Sequence, residues 1–306
     1  MIDFSKKYNR LFVIGCSFTN YHNWPTWAAA LSIELDVPLY NLGHSGASNK
    51  YIQSQLFLLD NKYNLTADDL VITQWSMHSR YSILGDSFYG DSNEWKHWGN
   101  ITDKHVQISD HRKQEIAEIT KHQTYNTLLL ESLIAIKSSI IYQNTLQCTC
   151  INLQIEPMPQ EMLKIHGRIM PSFVSVLFPG YDSYADVVEN YIEIHAGNNK
   201  ELSKLHSKYR KRNLLLKATK HAQRYDIHPL PTEHIAYLEN VFNQPFSDKV
   251  KQLARDDEKK WFSNPVTSIA RSRDNTYYGL ESLQQIVSLP IKPPQSWPKK
   301  VSLEKS

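Results

Sequence analysis

Over the first 75 residues, short apolar runs alternate with stretches whose apolar positions recur at helical spacing. "RLFVIG" (Arg10–Gly15) is a short apolar run, the pattern of a strand buried on both faces. "PTWAAALSIEL" (Pro25–Leu35) places a proline at a first helical position, with apolar residues at helical spacing behind it. "VPLYNLG" (Val37–Gly43) reads as a second strand. "SNKYIQSQLFLLDNKY" (Ser48–Tyr63) reads as a second helix with Ser48 as its cap. "DDLVITQW" (Asp68–Trp75) reads as a third strand. This alternation predicts an α/β fold with a mostly parallel sheet covered by helices.

Residues 85–112 break the rhythm. They are polar, contain Gly and Asn with interspersed aromatics, and read as a long loop or insertion. A long helix is expected over about Lys113–Tyr142, then a fourth strand in "LQCTCINLQI" (Leu146–Ile155). Further on, "SFVSVLF" (Ser172–Phe178) is a short apolar element, and Tyr184–His195 and Lys200–Gln223 look helical. "RYDIHPLPTEHIAYLENVF" then passes from a loop into a helix at about Thr232, with Ile235, Leu238 and Val241 on one face. The proline and lysine cluster "LPIKPPQSWPKK" resists regular structure. The pattern divides the chain into a domain over 1–243, with insertions at about 85–112 and 155–220, and a C-terminal extension over 244–306. That extension either packs on the domain or mediates association.

Composition narrows the function classes. The chain has 306 residues, with 41% hydrophobic and 21% charged, enough to bury a large core without staples. A net charge of +3 gives no basic stripe for nucleic acid. The basic run His206–Lys217 alternates charge with leucines and reads as a solvated helix face. Three cysteines build no disulfide framework and suit a reducing compartment. Cys148 and Cys150 alternate as residues on one face of a strand, without the further ligands a metal site needs, so no metal and no cofactor is expected. No segment reaches the roughly 18 apolar residues of a membrane span. "VIGC" mimics a lipoprotein cleavage site, yet only Leu11–Ile14 precede it, short of the roughly 7–15 apolar residues of a leader. The expectation is a protein with no signal peptide and no membrane partner.

The chemistry-bearing positions begin with Ser17, which follows the first buried run and precedes a helix. A nucleophilic serine needs that exposed turn, a general base, and amide donors for an oxyanion. Asp226 and His228 in "DIHP" are candidates for the base and its orienting partner. The backbone N–H groups of Ser17 and of "NLGHSGASN" (Asn41–Asn49) are candidate donors. Taken singly, each feature has a bland reading as a turn or a cap; their order and spacing together are more telling.

The set "GCSFT", "NLGHSGASN" and "DIHP" resembles the SGNH (GDSL-like) hydrolase superfamily. The resemblance covers roughly residues 9–80 and 220–243 and implies a flavodoxin-like three-layer α/β/α sandwich. Gly15-Cys16-Ser17-Phe18-Thr19 matches the family's Gly-Asp-Ser-Phe-Thr except at Cys16. The resemblance implies that Ser17 is the nucleophile and that its N–H is an oxyanion donor. Asn41, Gly43 and Gly46 match Asn-x-Gly-x-x-Gly, with Gly46 as a second donor. Asp226-Ile227-His228 is one residue shorter than the usual Asp-x-x-His, a spacing found in branches with polysaccharide-modifying members. The third block, Gly-x-Asn-Asp, has no match in "QWSMHSR" (Gln74–Arg80). Ser76, His78 or Gln74 are the candidates to replace its Asn. The combination of "GCSFT", "WPTWA" and "QWS…R" resembles SGNH-like proteins of tailed phages, which implies a location in the host cytoplasm.

Cys16 thus stands beside the nucleophile, in place of the family's Asp. "GDSFYG" (Gly85–Gly90) repeats the motif literally at Ser87 but lacks a long buried strand before it and a glycine block after it, so it reads as a decoy. His234, one turn into the last helix, reads as packing or capping. His44 either lines the site or faces solvent, and Arg80 reads first as a structural ion-pair partner. Phe88, Tyr89, Trp95 and Trp98 suit either stacking on sugar rings or plugging the insertion's own core. The expected activity is hydrolysis of O-acyl esters, including O-acetyl esters on carbohydrate, by a Ser17-His228-Asp226 triad; transfer to a sugar hydroxyl uses the same site. The competing reading is a weak or inactive scaffold that binds carbohydrate or a phage particle. The sequence leaves room for a homo-oligomer.

Overall fold

A computed structural model describes residues 2–21, 25–86, 93–101, 110–158, 169–184, 186–187 and 228–263. Four strands, β1 (Arg10–Ile14), β2 (Leu39–Asn41), β3 (Asp69–Trp75) and β6 (Thr149–Gln154), form a parallel sheet in the order β2-β1-β3-β6. Every residue of β3 is buried, as are Leu11–Ile14 of β1. This is why the apolar residues of these strands, Leu11–Ile14 and Leu70–Ile72, run consecutively rather than alternating.

Helices cover both faces. α1 (Trp27–Leu35) packs against α6 (Pro231–Phe242) and α7 (Asp248–Ser263), while α2 (Asn49–Tyr63) packs against α4 (Tyr125–Gln143). Two neighbouring residues of β3 fix the layers, because successive strand side chains point to opposite faces. Thr73 Oγ1 accepts from Gln143 of α4, and Gln74 Oε1 accepts from Trp27 of α1. The fold is therefore the expected three-layer α/β/α sandwich.

Several local expectations are refined. The long helix over 113–142 is two helices, α3 (Asp110–Thr120) and α4, because Thr124 caps a new start by accepting from Thr127 N–H. The stretch read as a loop from residue 85 contains a strand. β4 (Arg80–Asp86) and β5 (Asn93–Asn100) pair antiparallel, with Ser82 opposite His97 and Leu84 opposite Trp95. "SFVSVLF" yields α5 (Phe173–Leu177), capped by Ser172. The final domain helix starts at Pro231, whose missing N–H costs nothing at that position. Beyond residue 244, α7 carries part of its length onto α1 and α6. The proline and lysine cluster and the helices expected near 188–223 lie outside the described residues.

Candidate active site

The carboxyl edge of the sheet is organised around the turn after β1. Thr19 N–H and Asn20 N–H both donate to Cys16 O, which folds residues 16–20 into a tight turn. Gly15 is required by this fold. A β-carbon there would lie 2.0 Å from Thr19 Oγ1 and 3.2 Å from the Gln74 carbonyl oxygen. Thr19 Oγ1 and Trp27 Nε1 both donate to Gln74 Oε1, at 2.8 and 2.9 Å. Gln74 therefore ties the serine turn to β3 and to α1.

The glycine loop is sewn to the same turn. Asn41 Nδ2 donates to Thr19 O, while Asn41 Oδ1 accepts from Gly43 N–H. Asn20 Nδ2 donates to Gly43 O, and His44 N–H donates to Gly15 O at 3.0 Å. The loop after β2 thus runs alongside residues 15–20. Gly46 follows with a φ of 78°, a conformation that glycine adopts without steric cost.

The third component comes from the far end of the domain. His228 stands just ahead of α6, and its ring stacks on Tyr21 with centroids 4.0 Å apart at 19°. The same ring lies 5.8 Å from that of Phe18, the neighbour of Ser17. Phe18 in turn packs edge-on against Phe173 and Tyr184. Ser17 is 2% exposed, and among the described residues its side chain makes no hydrogen bond. Asp226 lies outside the described residues, as does Ser87. Cys16 is fully buried in the core, beside the serine rather than at the surface.

The replacements considered for the absent Asn occupy different places. Ser76 closes β3, and its backbone is held by one side chain. Asn49 Oδ1 accepts from Ser76 N–H at 2.7 Å, and Asn49 Nδ2 donates to Ser76 O at 2.9 Å. The Ser76 hydroxyl is buried without a partner among the described residues, and so is Gln74 Nε2. His78 packs its ring edge-on against Tyr125 at the start of α4, and burial lowers its pKa. His78 thus lies against the start of α4.

The β4–β5 hairpin supplies a wall of which the sequence reading named Trp95 but not His97 or the strand pairing. Ser82 Oγ accepts from Ser48 N–H and shares a 2.8 Å hydrogen bond with His97 Nδ1. The His97 ring lies 4.2 Å from His44 and edge-on to Tyr51 at 4.8 Å; Trp95 meets Tyr51 at 5.6 Å. Burial lowers the His97 pKa to about 4, with the His44 and Arg80 charges acting in the same direction. Trp95 and His97 sit two residues apart on one strand face, and that period-two spacing was the available signal. Asn49 and Tyr21 carried no such signal, since their roles exist only between elements. His234 is fully buried against Phe173, in line with a packing role.

Fold and site together define a class: a doubly wound α/β/α protein whose serine turn and histidine meet at the carboxyl edge of the sheet. No family model matches the chain, and no curated protein does. Among solved structures it is similar to the crystal structure of TesA, with 12% identity over 56% of this chain and 84% of that one, at a TM-score of 0.32. It is also similar to a putative lipolytic protein of the G-D-S-L family from Desulfitobacterium hafniense (13% identity, 57% and 83% coverage, TM-score 0.31). A third is a G-D-S-L family lipolytic protein from Veillonella parvula (9% identity, 83% and 98% coverage, TM-score 0.29).

Proposed function

We propose that the chain is a serine ester hydrolase acting on O-acyl esters, with carbohydrate acyl groups as the substrate class. The observation that carries this reading is the meeting of His228 with the Ser17 turn, far apart in sequence, through Tyr21 and Phe18. In this reading His228 takes the proton of Ser17, and Asp226 orients the imidazole and stabilises its charge. Ser17 Oγ attacks the ester carbonyl. The N–H groups of Ser17 and Gly46 receive the oxyanion, and water then releases the acyl group. Apo hydrogen bonds between nucleophile and base are commonly long and tighten on substrate binding, which accommodates a Ser17 side chain that makes no hydrogen bond among the described residues. His97 and Tyr51 pack beside His44 of the glycine loop, and in this reading that side of the loop borders the substrate.

Labelling with a fluorophosphonate and mapping the adduct tests the reading. Wild type should carry the label on Ser17, Ser17→Ala should carry none, and His228→Ala should react far more slowly. With an acylated sugar as substrate, His228→Ala should lose about 10⁶ in kcat. Labelling confined to Cys16 or Ser87 would overturn the mechanism. Folded protein that takes no label and cleaves no ester would instead support the binding-scaffold reading.

A further inference from the structure

At the end of the sheet opposite Ser17, Cys148 and Cys150 bring their sulfurs to 3.6 Å of one another. Both thiols are free. They lie on the α4 side of β6, the same side as Asn152, whose amide donates to Gln143 of α4. Their backbones differ in freedom. Cys150 is held in the ladder opposite Val71, whereas Cys148 precedes the first ladder pair, Leu70 with Thr149, and sits in a bend.

That difference matters for bond formation. A disulfide needs its sulfurs at about 2.05 Å, so they must approach by roughly 1.5 Å. The unladdered bend at Cys148 can supply this movement without breaking a strand hydrogen bond. The two sulfurs also divide the work of a redox pair. The hydrogen bond between the two sulfurs lowers the Cys148 pKa and raises that of Cys150. Burial, and after it the carboxylates of Asp69 and Asp60, oppose ionisation of Cys148.

We propose that Cys148 and Cys150 are a redox-closable dithiol, oxidised by hydrogen peroxide to an intrastrand disulfide. The Cys148 thiolate attacks a peroxide oxygen, the O–O bond breaks, and one water leaves once protonated. The resulting sulfenic acid is attacked by the Cys150 sulfur; the S–S bond forms and a second water departs. Two thiols lose two hydrogens, and the peroxide is reduced to two waters. A bond across so short a ring is readily reopened by thiol exchange with a glutathione-type thiol.

The test is a hydrogen peroxide titration of the full chain, followed by alkylation under denaturing conditions and intact mass measurement. Oxidised protein should be lighter by two hydrogens, leave only Cys16 alkylatable, and regain three alkylatable thiols on treatment with dithiothreitol. Cys150→Ser should accumulate a sulfenic acid on Cys148 that a dimedone probe captures, while Cys148→Ser should give no such adduct on Cys150. Three alkylatable thiols after peroxide, or separate oxygen adducts on the two sulfurs, would overturn the proposal. So would a bond that includes Cys16, or equal dimedone capture in both variants. None of these outcomes depends on the esterase reading.

Discussion

Gly15 illustrates how tightly the serine turn is built. Its absent side chain is the space into which Thr19 folds, and that fold lets Thr19 Oγ1 reach Gln74. Gly15→Ala should therefore cost about 1–3 kcal/mol, the range for overpacking a closed site. A lowered midpoint in urea unfolding is the readout, and an unchanged midpoint would mean that the turn yields without loss. Tyr21 is the second residue to test. Its ring is the flat surface on which His228 rests. Tyr21→Ala should leave the fold intact, slow fluorophosphonate capture at Ser17 and lower kcat, whereas Tyr21→Phe should keep most of both. Equal loss in the two variants would show that the hydroxyl, not the stacking face, is what counts.

Among the elements, the junction between α2 and β3 is the most exposed to a single substitution. Asn49 satisfies both backbone groups of buried Ser76, so Asn49→Ala orphans a donor and an acceptor, at about 1–3 kcal/mol for each group left unpaired. Asn49→Asp keeps an acceptor for the Ser76 N–H and orphans only the carbonyl. Urea unfolding should rank wild type above Asp above Ala, and equal midpoints would contradict the assignment. This junction also marks where sequence reading stops. The buried runs of β1, β3 and β6 are legible because a strand covered on both faces is mainly apolar, even though β3 and β6 also carry buried polar residues such as Thr73, Gln74 and Asn152. The Ser48 cap and the glycine loop are legible because each is a local chemical signature, and the start of α6 is legible to within one residue, at about Thr232 instead of Pro231. Asn49 on Ser76, Tyr21 on His228 and Ser82 on His97 are contacts between distant segments, and no local pattern announces them. The β4–β5 hairpin falls between these cases, since its alternation at Trp95 and His97 is masked by polar neighbours.

For the whole molecule, the strand order β2-β1-β3-β6 means that successive connections leave β1 in opposite directions, opening a crevice at the carboxyl ends of β1 and β3. Folding buries several ionisable groups in one protonation state, and this sets the acid response. Burial lowers the His234 pKa from 6.5 to about 3, with the His228 charge adding to the effect. The unfolded chain takes up that proton near pH 6.5 and the folded chain does not until about pH 3. The stability is therefore complete above pH 6.5 and is lost as the pH falls toward 3. His97 acts in the same sense between 6.5 and about 4. Asp69 joins later. Burial alone would raise its pKa, but hydrogen bonds from Arg10 and Thr66 and the Arg10 charge outweigh it, leaving the pKa below 3.8. Its contribution is present above 3.8 and lost below. Urea midpoints measured from pH 8 downward should hold steady to about 6.5 and then fall continuously. His234→Phe should flatten much of that fall, leaving the part due to His97. Asp69→Asn should lower stability at neutral pH, where Arg10 loses its partner, and flatten only the most acidic limb. A midpoint that stays level down to pH 4 would show that neither buried imidazole is held neutral by its surroundings.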